Sequence, residues 1–251
     1  MEEKNGNKVA LLISQSSNIL SVKRVLSNTY SIIETSKDYS LEVVLDFYNK
    51  RSLEESIIKL KEILNGKKLE VVFINSGVLI ANSLSDASFF EQEEQNKAIR
   101  FHLHIVEFVK NLIDSNVIDG KTKIIYNASI QVFSPKKYED YAVLKKTTSE
   151  LLMIKGLNIT ILCASLIKST KMTDYFLKEL SDQFDIEEYI QQQFPKGQPT
   201  LDDLNNVVMN IIANSEATRK KYVILDVSTS QDYLTCSNAI HYNSYLKELE
   251  M

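Results

Sequence analysis

Lys121-Thr-Lys-Ile-Ile-Tyr-Asn-Ala-Ser129 opens a stretch that decides how the chain is read. Pro135 and two lysines mark a loop, Tyr141-Ala-Val-Leu-Lys145 follows, and Leu157-Asn-Ile-Thr-Ile-Leu-Cys163 closes the stretch. Short apolar runs bounded by turn signals are buried-strand candidates, so the order is strand, loop, helix, strand. Residues four apart share a helix face, so Tyr141 and Lys145 are expected to point at one spot. An ammonium beside a phenol favours the phenolate and is expected to lower its pKa. A phenol tuned this way exchanges a proton with a carbonyl or alcohol near neutral pH. Ser129, at the preceding strand end, is the candidate to hydrogen-bond the same substrate oxygen. A tyrosine-x-x-x-lysine match alone is weak in a chain with 12 tyrosines; its place in a strand-loop-helix-strand unit is what gives it weight.

Outward from this stretch, strands and helices alternate. Lys8–Ile13 is a continuous apolar run, typical of a central parallel strand. A helix is expected near Asn18 to Ser27, with Leu20, Val22, Val25 and Leu26 apolar, and strands at Ser31–Glu34 and Leu41–Asp46. Ser52-Leu-Glu-Glu55 has the form of a capping box opening a helix through Leu53, Ile57, Leu60 and Leu64. Leu69–Asn75 is the fourth strand, and Ala98, Phe101, Ile105, Phe108 and Leu112 mark one stripe of a long helix. His102 lies on a second stripe with Val106, Val109 and Ile113, which suits either core packing or a subunit contact. The segment 166–199 has no strand pattern and contains Pro195, Gly197 and Pro199, which makes it a candidate lid over a substrate. Its aromatics Tyr175, Phe176, Phe184, Tyr189 and Phe194 suggest an apolar lining. A helix through Leu201, Leu204, Val208 and Ile211 and a last strand at Tyr222–Asp226 follow, with a polar tail from Gln231. This alternation predicts an α/β fold: a doubly wound, Rossmann-type parallel sheet of about seven strands in three layers, with right-handed crossovers. No linker interrupts residues 1–251, so one domain is expected.

Composition narrows the functional classes. Net charge is −4 with no long basic run, which argues against nucleic acid or an anionic membrane surface as partner. Two cysteines give no disulfide framework, and no apolar run is long enough to span a bilayer. The first residues lack the pattern of a signal peptide, so a soluble cytoplasmic protein is expected. His102 and His104 are two apart on a helix and face differently, so they form no metal pair, and no other spacing suggests a metal site. The 6 glycines are few for a nucleotide-binding fold, which uses glycine where backbone approaches phosphate.

The unit around Ser129, Tyr141 and Lys145 resembles the short-chain dehydrogenases/reductases. Ile124–Ser129 is similar to the strand ending in the family's catalytic serine, and Tyr141–Lys145 matches its signature, 12 positions later. The resemblance implies an NAD- or NADP-dependent oxidoreductase acting between nicotinamide and a small carbonyl or alcohol substrate. Ser129 would orient the substrate oxygen, Tyr141 would move the proton, and Lys145 would lower the phenol pKa and bind the nicotinamide ribose. His102 falls nearest the family's helical asparagine, so a proton relay stands beside the core or subunit-contact reading. The first turn departs from the family pattern: Ser14 falls on its threonine, and Gln15, Ile19 and Ser21 on its three glycines. Ser16, Ser17 and Asn18 are candidates for phosphate contacts, and equally for a plain N-cap cluster. Glu34, read as ending the second strand, would take the ribose hydroxyls and favour NAD, with Lys37 nearby pulling the other way. Asp46-Phe47 falls on the adenine position, Asn75 and Gly77 on the motif ending the fourth strand, and Ser169 or Thr170 on the nicotinamide-flanking hydroxyl. The resemblance also implies dimers or tetramers, homo- or hetero-, through the helices flanking the site. Two other readings stand beside the enzyme: a non-catalytic subunit or scaffold that has lost nucleotide, and a cofactor-free isomerase or dehydratase.

Overall fold

The computed structural model describes residues 8–14, 19–76, 89–129, 139–154, 156–164, 166–170, 173–174, 177–178, 181, 185–193, 197–213, 221–225 and 234–236. Strands β1 (Val9–Ser14), β2 (Ser31–Ser36), β3 (Val43–Val44), β4 (Val71–Asn75), β5 (Lys123–Ser129), β6 (Asn158–Ala164), β7 (Lys221–Leu225) and β8 (Leu234–Cys236) form one sheet. Helices α1 (Ile19–Leu26), α2 (Lys50–Leu64), α3 (Phe89–Asp114), α4 (Glu139–Leu152), α5 (Ile186–Gln193) and α6 (Leu201–Ala213) complete the described elements. The strand order is β3-β2-β1-β4-β5-β6-β7-β8. Strands β1 to β7 pair in parallel, and β8 returns antiparallel to β7. The sheet therefore has one strand more than the sequence pattern indicates. The extra strand lies in the polar tail, too short to carry an alternation signal.

The central strands read as continuous apolar runs because both their faces are covered. On one face, Leu11, Ile13, Val72, Ile74, Ile124 and Tyr126 pack with α2 and α3 residues such as Leu53, Leu60, Phe101 and Phe108. On the other, Ala10, Leu12, Phe73, Ile125 and Leu162 meet Ile19, Val22 and Leu26 of α1 and Leu204, Val208 and Ile211 of α6. This division fixes the hand of the crossovers. Helices α3 and α4 lead from β4 to β5 and from β5 to β6, stepping along the sheet in one direction; α3, and α4 through Leu152, pack on the first face. Helix α6 leads from β6 to β7 in the same direction but packs on the opposite face, against α1. The β6–α6–β7 connection thus has the opposite hand to the others, against the general expectation of uniform right-handed crossovers.

Local chemistry corrects other expectations. Helix α2 starts three residues before the supposed capping box: Asn49 is its N-cap, in extended conformation, with its side chain accepting from Arg51 N. Ser52 lies inside the first turn, and its hydroxyl takes the Asp46 N–H at 2.9 Å. The reciprocal cap is found instead on α6. Thr200 N and Oγ1 both donate to Asp203 Oδ2, at 2.8 and 2.7 Å, and Asp203 N returns to Thr200 Oγ1. At the far end of α6, the Lys123 ammonium donates to the Ile212 carbonyl, a cation at a helix C-terminus. On α1 the buried positions are Ile19, Val22 and Leu26, while Leu20 faces outward. On α3, Val106 and Val109 belong to the core and Ile113 packs against it; among the described residues the exposed apolar ones are Ile99 and Leu103. Of the two readings of this stripe, core packing or a subunit contact, the structure gives core packing. Gly120 has no room for a side chain, since a Cβ there would lie 2.8 Å from the Gly156 carbonyl oxygen.

Candidate active site

Ligands of a doubly wound sheet sit at the strand C-terminal ends, where the strand order reverses. Here that point lies between β1 and β4, whose last residues Ser14 and Asn75 are register neighbours. Helix α4 reaches it with a lysine. Lys145 is buried, and its Nζ donates to Ser76 O at 2.9 Å and to Asn127 O at 3.0 Å. It thereby ties α4 to the ends of β4 and β5, two residues short of Ser129. The ammonium stands 4.8 Å from the centroid of the Tyr126 ring and 5.9 Å from that of Tyr141. Asn127 Nδ2 donates to Asn75 Oδ1 at 2.7 Å, joining the two strand ends side by side. His102 on α3 is buried within reach of the Lys145 charge, and its Nδ1 lies 2.9 Å from Thr148 Oγ1 on α4.

The electrostatics differ from the sequence expectation. Burial pushes the Tyr141 phenol up rather than down. Lys145 spends two N–H groups on carbonyls and meets the ring face, so its charge does not offset the loss of water around the phenol. Burial lowers Lys145 to about 7. Burial first, and the Lys145 charge second, lower His102 to about 3. At neutral pH the site thus holds a protonated phenol, a neutral imidazole and an amine near its midpoint.

Several buried polar atoms here lack a hydrogen-bond partner among the described residues: Ser76 Oγ, Asn127 Oδ1 and His102 Nε2. Buried polar atoms are ordinarily paired, and each exception costs about 1–3 kcal/mol. Ser76 Oγ and Asn127 Oδ1 at the strand ends fit a polar ligand; Tyr126 Oη, Thr35 Oγ1 on β2 and Asn205 Oδ1 on α6 also lack a partner among the described residues. Sequence reading missed Asn127, Ser76 and Thr148 as site residues. For Asn127 the signal was available, because alternation along a strand puts residue 127 on the same side as Ser129.

The expected nucleotide end is built otherwise. Strand β2 runs on to Ser36, so Glu34 lies inside it rather than at its end. Glu34 is held by Lys23 of α1 at 2.7 Å. Phe47 is fully buried, edge-on to Phe101 and Phe108, and is core rather than an adenine contact. Asp46 closes its own turn by accepting Tyr48 N at 2.9 Å, and borders an open groove of about 300 Å³ between β3 and α2. Ile19 is packed in the α1–α6 core. Ser21 accepts from Asn205 Nδ2 of α6 at 2.7 Å. Thr170 is buried and caps its own turn, donating to Thr173 Oγ1 and accepting from Thr173 N, while Ser169 is exposed with φ +60°. Gln15, Ser16, Ser17, Asn18 and Gly77 lie outside the described residues, as do Tyr175, Phe176, Phe184 and Phe194 of the lid segment. The two ends of that segment are stitched together by Lys168 N to Pro199 O, 2.7 Å, and Gln198 Nε2 to Leu166 O, 3.0 Å. Among the described residues no helix is long and apolar enough to cross a membrane, and no group of side chains could hold a metal ion.

No protein-family model matches the chain, and no curated protein matches it. Solved structures do. A variant of actinorhodin polyketide ketoreductase with NADPH superposes with a TM-score of 0.74 at 13% identity, over 92% of this chain and 100% of that one. A gluconate 5-dehydrogenase from Burkholderia cenocepacia J2315, in complex with NADP and tartrate, gives 0.72 at 13% identity over 90% and 96%. A short chain dehydrogenase family protein from Francisella tularensis gives 0.64 at 17% identity over 83% and 92%. The chain has the short-chain dehydrogenase/reductase fold, at a sequence distance that places it as a divergent example.

Proposed function

We propose that the protein is an NADP(H)-dependent oxidoreductase of the short-chain dehydrogenase/reductase type, acting on a small carbonyl or alcohol substrate. The observation that carries this reading is the buried Lys145 at the strand ends, beside Tyr141 and beside polar atoms of Ser76 and Asn127 that lack a partner among the described residues. When bound, the nicotinamide supplies the redox chemistry at the substrate carbon. Asn75, Ser76 and Lys145 are the residues to hold its ribose and ring. Tyr141 keeps its proton at neutral pH, which suits donation from Oη to a carbonyl oxygen, the reductive direction. Ser129 orients that oxygen, and the segment 166–199 covers the substrate.

The preference for NADP over NAD rests on Glu34. An acid that would take the ribose hydroxyls is neutralised by Lys23, and β2 instead ends at Ser36 followed by Lys37. Neighbours of the same fold carry NADP or NADPH. A dimer or tetramer would form through α3 and α4, whose exposed apolar residues are Ile99, Leu103, Val143 and Leu151.

Thermal shift with each nucleotide tests the reading. NADPH should raise the melting temperature at lower concentration than NADH, since a ligand at a hundred times its Kd adds about 2.7 kcal/mol. Tyr141→Phe should leave that shift intact while carbonyl reduction falls by about 10²–10⁴-fold. No shift at millimolar NADPH would favour the non-catalytic scaffold, in which Ile19 and Ser21 serve helix packing alone.

A further inference from the structure

Strands β4 and β5 part at the active site, and the register shows where. Among the described residues their parallel pairing runs from Val71 opposite Lys123 to Ile74 opposite Tyr126. Each strand keeps its outer neighbour beyond that point: Asn75 still pairs with Ser14 of β1, and β5 stays with β6 as far as Ser129 opposite Ala164. The ladder has a fixed phase, because Lys123 N donates to Glu70 O. Continued in that phase, the Asn127 carbonyl would face the Ser76 amide, and the Ser76 carbonyl would face the Ser129 amide. Those two carbonyls are the ones that Lys145 Nζ of α4 reaches, Ser76 O at 2.9 Å and Asn127 O at 3.0 Å. A buried ammonium thus supplies donors at the next two rungs, where β4 and β5 draw apart.

A second bond sits at the same step. Asn127 Nδ2 donates to Asn75 Oδ1 at 2.7 Å, where the register would next set residue 75 opposite residue 127. Asn127 is buried and held at both ends, its carbonyl by Lys145 and its side chain by Asn75. Asn75 is followed directly by Ser76, which carries the other carbonyl. The amide bridge therefore ties together the two pieces of backbone on which the lysine stands. Hydrogen bonds weaken steeply with distance and angle, so one ammonium cannot serve two carbonyls that drift apart. We propose that Asn75 and Asn127 are positioning residues: their amide bridge holds the Ser76 and Asn127 carbonyls at the spacing that Lys145 needs to stand between β4 and β5. An ammonium has three N–H donors, so two are fixed on the strand ends and one remains for a ligand. This deepens the oxidoreductase reading, in which Lys145 holds the nucleotide, and concerns the protein before nucleotide binds.

The test is NMR on the full chain without nucleotide, well below the lysine's value of about 7, where Nζ is an ammonium. Scalar couplings across hydrogen bonds link Lys145 ¹⁵Nζ to the carbonyl carbons it reaches, with Lys145→Arg identifying the signal. Wild type should show couplings to both Ser76 and Asn127. Asn127→Ala and Asn75→Ala should each lose one of the two. The double variant should lose no more than either single one, because there is one bridge to break. Both couplings kept in either alanine variant overturn the proposal, as does a wild type that lacks them. If the alanine variants fail to fold, Asn127→Ser and Asn75→Ser take their place, polar but too short to span the bridge. Intact couplings in a chain that binds no nucleotide would end the redox reading and leave the bridge standing; nucleotide binding in a chain without the couplings would do the opposite.

Discussion

The two halves of the strand-end floor differ in how many of their polar side chains are paired within the protein. Around β1, α1 and β2, polar side chains that a nucleotide would need are spent on the protein itself. Ser21 is held by Asn205, Glu34 by Lys23, and Asp46 by the Tyr48 amide. Around β4, β5 and α4, Ser76 Oγ, Asn127 Oδ1, Tyr126 Oη and His102 Nε2 lack a partner among the described residues, against Thr35 Oγ1 of β2 and Asn205 Oδ1 beside Ser21 in the first half. A satisfied polar side chain stabilises the fold where it stands, whereas an orphaned one costs free energy that folding alone does not return. The second half gathers its unpaired atoms beside the buried Lys145, which marks it as the half that a polar ligand would complete. Ile19 and Ser21, two of the three positions that the resemblance sets on glycines, turn their side chains into the α1–α6 packing.

The largest expected effect tests the first half. Ile19→Ala should cost about 2–5 kcal/mol of stability, the usual range for truncating a buried isoleucine, measured by denaturant unfolding. Nucleotide binding should be unchanged; tighter binding would mean that the side chain intrudes on the phosphate position after all. Next comes Lys145→Met, for which pH is the discriminating variable. The folded-state pKa of Lys145 is lowered to about 7, against an ordinary 10.5 in the unfolded chain. Between those values the unfolded chain binds more protons, so this group's contribution becomes more favourable as pH rises through the window. Below pH 7 both states hold the charge and the burial cost is at its full value. The melting temperature of the variant relative to wild type should therefore fall between pH 7 and 10, and a constant difference would show that burial does not lower the Lys145 pKa. The smallest effect is expected at Ser169→Gly, in the exposed turn ahead of Thr170. Relief of the left-handed backbone should outweigh the added unfolded-state entropy by about 0.5 kcal/mol.

Much of the architecture was legible because periodicity records burial. The strands of the central sheet were readable as apolar runs, and the 98–112 stripe as one buried helix face. Boundaries set by a single hydrogen bond were less so: the start of α2 depends on which of Asn49 and Ser52 takes which amide. Pairing Tyr141 with Lys145 was readable from helical spacing. Their proton affinities were not, because these depend on how much water the rest of the fold removes. The surroundings of Glu34 and Phe47 were not readable for a related reason. A charge partner on another helix and a slot between two phenylalanines are invisible in a linear pattern.

The amino-acid order by itself determined the alternation of strand and helix, the face shared by Tyr141 and Lys145, and the loss of glycine from the first turn. Each is a local property, fixed by spacing along a helix or strand. Only the tertiary structure decided that α6 crosses to the face of α1, that Lys145 is anchored on two strand-end carbonyls, and that Thr148 meets His102. Those depend on which surfaces exclude water together, and burial is settled by the whole packed sheet rather than by any one segment.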